Sequence, residues 1–126
     1  MRIVAIMLVI ILAFFAMSIF VQIQMKKTAE QLLGKLDTVE DCIEKGEWTL
    51  GRQHMEELKA SWTRVRKKWE IIHNHKEIDD IDVTVVKVDR FIKMREKPSA
   101  MAEIAALRLY ISHIPEKEAF RLSNLL

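Results

Sequence analysis

A chain of 126 residues has room for one domain. Its 20 basic and 18 acidic side chains leave a net charge of +2, so no global charge drives nucleic-acid binding. A single cysteine excludes an internal disulfide, and the fold must rest on packing alone.

The first element is apolar throughout. From Ile3 to Val21, "IVAIMLVIILAFFAMSIFV", no residue is charged and Ser18 is the one polar side chain. At ~1.5 Å per residue, about 19 helical residues span roughly 28 Å, the thickness of a bilayer's hydrocarbon layer. The stretch therefore reads as a membrane helix, flanked by Arg2 on one side and by Gln22, Gln24, Lys26 and Lys27 on the other. A cleaved signal peptide is the rival reading. Phe14 and Phe15 lie between Ala13 and Ala16 and the apolar run continues past both, which argues against a cleavage site. The flanking positive charges nearly balance. A short segment before the run and a longer one after it favour a signal anchor, with the following domain outside the cytoplasm.

Beyond the run, regularly spaced apolar residues among mixed charges predict exposed helices around a common seam. The first, near Lys26 to Lys45, aligns Leu32, Leu33, Leu36, Val39 and Ile43, with Gly46 as its C-terminal cap and Gly34 as a weak point. No proline separates it from the apolar run, so one helix is able to continue through both. The second carries Met55, Leu58, Trp62, Val65, Trp69 and Ile72 at spacings of 3, 4, 3, 4 and 3, a heptad seam. Its tryptophans require deep holes and an acceptor for each indole N–H. Trp48 and Leu50 are placed to staple its start to the first helix.

The third helix repeats the spacing with Ile78, Ile81, Val85, Val88 and Ile92, but in a new phase, which predicts a turn around Asn74. The fourth begins near Pro98 and runs through Met101, Ile104, Leu107, Ile111 and Ile114 as far as Pro115. A tail with Phe120, Leu122, Leu125 and Leu126 then closes one end of the bundle. The expected fold is all-α: residues 1–25 form a transmembrane anchor, and residues 26–126 a small antiparallel bundle of about four helices.

Two stretches carry candidate chemistry. In "HNHKEIDDID", His73, His75 and Asp79 are the possible metal ligands. His73 and His75 are two apart and fall on different helix faces, whereas ligands converge at spacings of three or four. Glu77, Asp79 and Asp80 instead suit the first turns of a new helix, where acidic groups complement the macrodipole. The hinge reading is preferred over the metal site. In "RVRKK", Arg64, Arg66, Lys67 and Lys68 form a basic run able to meet an anionic partner. Folding into a hairpin would bring the run against Glu77 to Asp82, and mutual pairing is the favoured reading. His54 and His113 are isolated. Neither Cys42 nor the serines have a local activating constellation, and no glycine loop for phosphate exists. No catalytic residue and no cofactor are expected.

With Glu47-Trp48, the pair Trp62 and Trp69, the stretch His75 to Ile81 and the ending "LSNLL", the chain resembles an uncharacterised family of small membrane-anchored proteins from Firmicutes, domain of unknown function DUF4363. The resemblance implies a helical, extracytoplasmic and non-enzymatic protein that partners other small membrane proteins. It carries over no site residues. The expected function is a membrane-anchored interaction or scaffold protein of the cell envelope, docking a membrane-protein partner. The alternative is an extracytoplasmic ligand- or metal-sensing module using the His73/His75 corner.

Overall fold

The chain is described here by a computed structural model covering residues 1–125, with side chains at all of these except 117–122 and 125. Four helices account for nearly all of it: α1 (Arg2–Glu44), α2 (Trp48–Ile72), α3 (His75–Lys93) and α4 (Lys97–Leu125). The connections are residues 45–47, 73–74 and 94–96, too short for anything but antiparallel neighbours. Each helix packs against two others, in the ring α1, α2, α3, α4 and back to α1. The result is an all-helical up-and-down bundle.

α1 is one unbroken helix of 43 residues, about 64 Å long. Its first half lies outside the core and is long and apolar enough to cross a membrane. Its second half is a bundle element: Met25, Ala29, Leu32, Leu36, Val39 and Ile43 are buried on one stripe. Val21 already packs against the core, so the apolar half and the bundle half meet inside one helix with no break between them. Leu33, expected on the stripe, lies at its margin and is half-buried.

The core is the seam expected of the other helices, with informative exceptions. Met55, Leu58, Trp62 and Trp69 of α2 are buried, as are Ile78, Ile81, Val85, Val88 and Ile92 of α3. Val65 is only half-buried, and Ile72, the last residue of α2, is exposed because the chain leaves the helix there to reverse direction. Leu50 is likewise exposed, and the start of α2 meets the core through Trp48 and through buried Gly51, which lies against Ile43 of α1. α2 and α3 approach each other less closely than the other three neighbouring pairs. The two tryptophans on that seam, at 4 % and 2 % exposure, are buried in this part of the core.

The two turns at the far end from the apolar half of α1 share one geometry. After α1, the N–H of Gly46 donates to the Ile43 carbonyl and that of Glu47 to the Cys42 carbonyl, with Gly46 at φ 74°. After α3, Arg95 donates to Ile92 and Glu96 to Phe91, with Arg95 at φ 56°. Both are left-handed caps that satisfy terminal carbonyls, the second without a glycine. Lys97 adds a side-chain bond of 2.7 Å to the Glu44 carbonyl, a cation at a helix C-terminus.

α4 departs from the sequence expectation: it does not stop at Pro115 but continues through it to Leu125. Proline there removes one backbone donor, and the helix goes on because buried Ile111 and Ile114 hold that turn against the core. The expected closure of the bundle by Phe120, Leu122, Leu125 and Leu126 lies outside the described side chains.

Two substitutions should separate seam from surface. Nothing lies within 4 Å of a Cβ built on exposed Gly34, so Gly34→Ala should stabilise the chain by about 0.5–1 kcal/mol through backbone entropy. Trp69→Ala should cost about 3–5 kcal/mol. Denaturant unfolding of the full chain in detergent, read by circular dichroism, checks both.

Candidate functional site

The bundle end that adjoins the apolar half of α1 contains both stretches singled out in the sequence. α2 ends with His73 in extended backbone, its N–H still donating to the Trp69 carbonyl at 2.9 Å. Asn74 then caps α3, its side-chain oxygen accepting from the Lys76 N–H at 3.2 Å. Glu77 lies in the first turn, where its charge favours the helix N-terminus, while Asp79 and Asp80 follow a turn later. "HNHKEIDDID" is a capped chain reversal.

The reversal separates the three possible metal ligands. His73 is buried, edge-on to Trp69 at a centroid distance of 6.3 Å, and Trp69 meets Trp62 in the same way at 5.8 Å. His75 and Asp79 are exposed. Among the described residues, no three His, Cys, Asp or Glu side chains gather so as to hold a metal ion. His73 thus extends a row of rings along the inner face of α2, as an aromatic core residue does.

Asp82 is the residue that joins the two stretches. Its Oδ1 accepts from the Trp62 indole N–H at 2.7 Å and its Oδ2 from Arg66 Nε at 2.8 Å, while Arg66 also pairs with Glu70. The indole therefore has the acceptor its burial demands, and an ion pair secures the α2–α3 contact at the same carboxylate. The Asp82 hydrogen bond raises the Arg66 guanidinium above its ordinary value. Asp82 is the last residue of the acidic block expected to meet the basic run, and Arg66 does pair with it. What charge pattern alone does not show is that the same carboxylate also accepts from the Trp62 indole.

The basic run divides by direction. Arg66 is taken into the Asp82 clamp, whereas Arg64 donates to Ser61 Oγ at 3.2 Å on the α1 side. Lys67 and Lys68 are exposed. Arg64, Lys68 and Lys35 of α1 line an open groove of about 260 Å³ over Thr28, Gln31 and Ser61. Nearer the apolar half of α1 lies a crevice of about 470 Å³ between Phe20, Val21 and Met25 on one side and Lys68, Trp69 and Ile72 on the other.

Elsewhere, charge pairs knit the outer surface. Lys59 reaches Asp89 at 3.3 Å across α2 and α3, and Lys93 meets the same carboxylate at 2.9 Å. Arg108 of α4 pairs with Asp37 and Glu40 of α1. Cys42 is buried, and burial first, then the charges of Glu47 and Asp41, push its thiol up. The enclosed side chain sits against Gly51 at the start of α2.

Burial alone would raise the Asp89 carboxyl, but the Lys93 hydrogen bond and the Lys59 charge outweigh it and hold the group below its ordinary value. A depressed carboxylate contributes stability above its unfolded pKa and loses it as pH falls through the folded value. The melting temperature of the wild-type chain should therefore fall on acidification from about pH 5 to about pH 3 more steeply than that of Asp89→Asn, measured by thermal unfolding in detergent. The two curves should converge at the acid end.

Residues 19–125 match the family described as Domain of unknown function (DUF4363), and the chain belongs to that family. No curated protein and no solved structure matches the chain.

Proposed function

We propose that this member of the family is a single-pass membrane protein whose helical bundle acts as a non-enzymatic interaction module, docking a membrane-protein partner at the cell envelope. One observation carries the reading: α1 is continuous from the exposed apolar stretch into the bundle core. A bundle built on the same helix as its anchor is held at a set height and orientation, as a docking surface requires and a freely tethered enzyme does not.

The surface supports the same reading. Val83 and Val86 are exposed a turn apart on α3, at 54 % and 66 %, and Leu109 and Tyr110 are exposed on α4. Aliphatic side chains presented on rigid helices suit a helix-packing partner. Lys35, Arg64 and Lys68 converge on one groove with charges of a single sign, a lining that suits contact with an anionic surface.

The bundle is assigned to the extracytoplasmic side. Met94→Cys, at an exposed turn and in a Cys42→Ser background, should react with an impermeant maleimide in intact cells. The native chain should resist alkaline carbonate extraction, and a photo-crosslinker at Val86 should capture a discrete membrane protein. Reaction of Met94→Cys only after lysis contradicts the orientation. Release by carbonate contradicts the anchor.

A further inference from the structure

Ile71 is 86 % exposed and Ile72 39 %, two adjacent large aliphatic side chains at the end of α2, beside the polar tip of the α2–α3 corner formed by exposed Asn74, His75 and Lys76. Neither contributes to the core, and isolated exposure of one such residue would need no explanation. Their position does. The crevice beside them is lined by Phe20 and Val21, the last residues of the apolar run, and by Ile72 itself. The corner therefore lies level with the end of the apolar stretch.

This placement has a consequence for depth. If the apolar run fills the hydrocarbon layer, Val21 marks its edge, and the headgroup zone occupies about the next 6 Å. Lys26 and Lys27 lie about 8 Å beyond Val21 along α1. On α2, which runs back the other way, Lys67 and Lys68 stand one turn from Ile71 and Ile72, about 6 Å higher. All four ammonium groups are on exposed residues, with stems long enough to reach phosphate oxygens from either side of the zone. Aliphatic residues below and lysines above is the pattern of a segment that lies in a membrane interface.

We propose that the α2–α3 corner seats the bundle on the leaflet: Ile71 and Ile72 enter the outer hydrocarbon beside Phe20 and Val21, and Lys67 and Lys68 contact anionic headgroups. The occupant of the crevice between α1 and α2 is a lipid of that leaflet. Its apolar walls, Phe20, Val21, Trp69 and Ile72, receive acyl carbon, while Lys68 stands at the rim for the headgroup. The proposal rests on the membrane-anchored reading, and its test keeps the two apart.

The full chain, with Cys42→Ser, is labelled with an environment-sensitive fluorophore at Ile71→Cys, Ile11→Cys or Met94→Cys and reconstituted into phosphatidylcholine vesicles with or without phosphatidylglycerol. Lipids bearing a nitroxide high on the acyl chain serve as quenchers. In vesicles with phosphatidylglycerol, the label at 71 should lose roughly half its fluorescence to the shallow nitroxide, and the label at 94 none. Ile11 should be quenched by a deeper nitroxide in both vesicles. The double variant Lys67→Glu/Lys68→Glu should lower quenching at 71 without changing it at 11.

Quenching at 11 with none at 71 overturns the seat and leaves the anchor standing, while absence of quenching at both removes the anchor as well. Protection of 71 from aqueous iodide without nitroxide quenching means that protein, not lipid, covers the corner, and also overturns the proposal. Equal quenching at 71 with and without phosphatidylglycerol, unchanged in the double variant, overturns the role of the lysines.

Discussion

The rest of the structure depends on α1 carrying two kinds of surface on one unbroken helix. Over its first half every face is apolar and exposed; over its second half a single stripe, Met25 to Ile43, is buried and the other faces carry charge. A helix satisfies its interior backbone hydrogen bonds by itself, so the backbone needs no break where the character of the surface changes. Everything else is arranged around that second half: α2 and α4 pack directly against it, and α3 closes the ring on the opposite side. The proposed docking role is the consequence, because the bundle inherits the tilt and height of the helix that holds it.

Two kinds of interaction divide the work of specifying the ring. Burial of aliphatic seams supplies the nonspecific driving force, which by itself would tolerate several registers. The Trp62–Asp82–Arg66 clamp and the Lys59–Asp89–Lys93 cluster tie α2 to α3, and Arg108 with Asp37 and Glu40 ties α4 to α1. Exposed pairs contribute little energy each, but a buried indole N–H facing the wrong register would be left without an acceptor. That penalty makes the α2–α3 pairing selective.

Much of this was legible in the sequence, and the exceptions have physical causes. The heptads of α2 and α3, the phase shift across Asn74 and the glycine cap at Gly46 are local signals, and each corresponds to a feature of the fold. Pro115 was a misleading one, since the helix runs through it where Ile111 and Ile114 are buried in the turn before. Arg95 was silent, because nothing in its chemistry marks a left-handed residue. Of the candidate site, the acidic block and the basic run were visible as charges, but which carboxylate meets which cation depends on helix rotation. Ile71 fell outside the seam and gave no signal until the corner was placed beside Phe20 and Val21.

The central claim is that anchor and bundle are one rigid element, and a distance across the helix tests it most directly. Spin labels at Ile11→Cys and Asp41→Cys, in a Cys42→Ser background and with the full chain in lipid vesicles, bracket the proposed membrane boundary. Double electron–electron resonance should give a single narrow distribution centred at about 45 Å, the rise of an unbroken helix over that interval. A broad distribution, or one centred well below that distance, would mean that α1 bends or melts between anchor and bundle and would contradict the account.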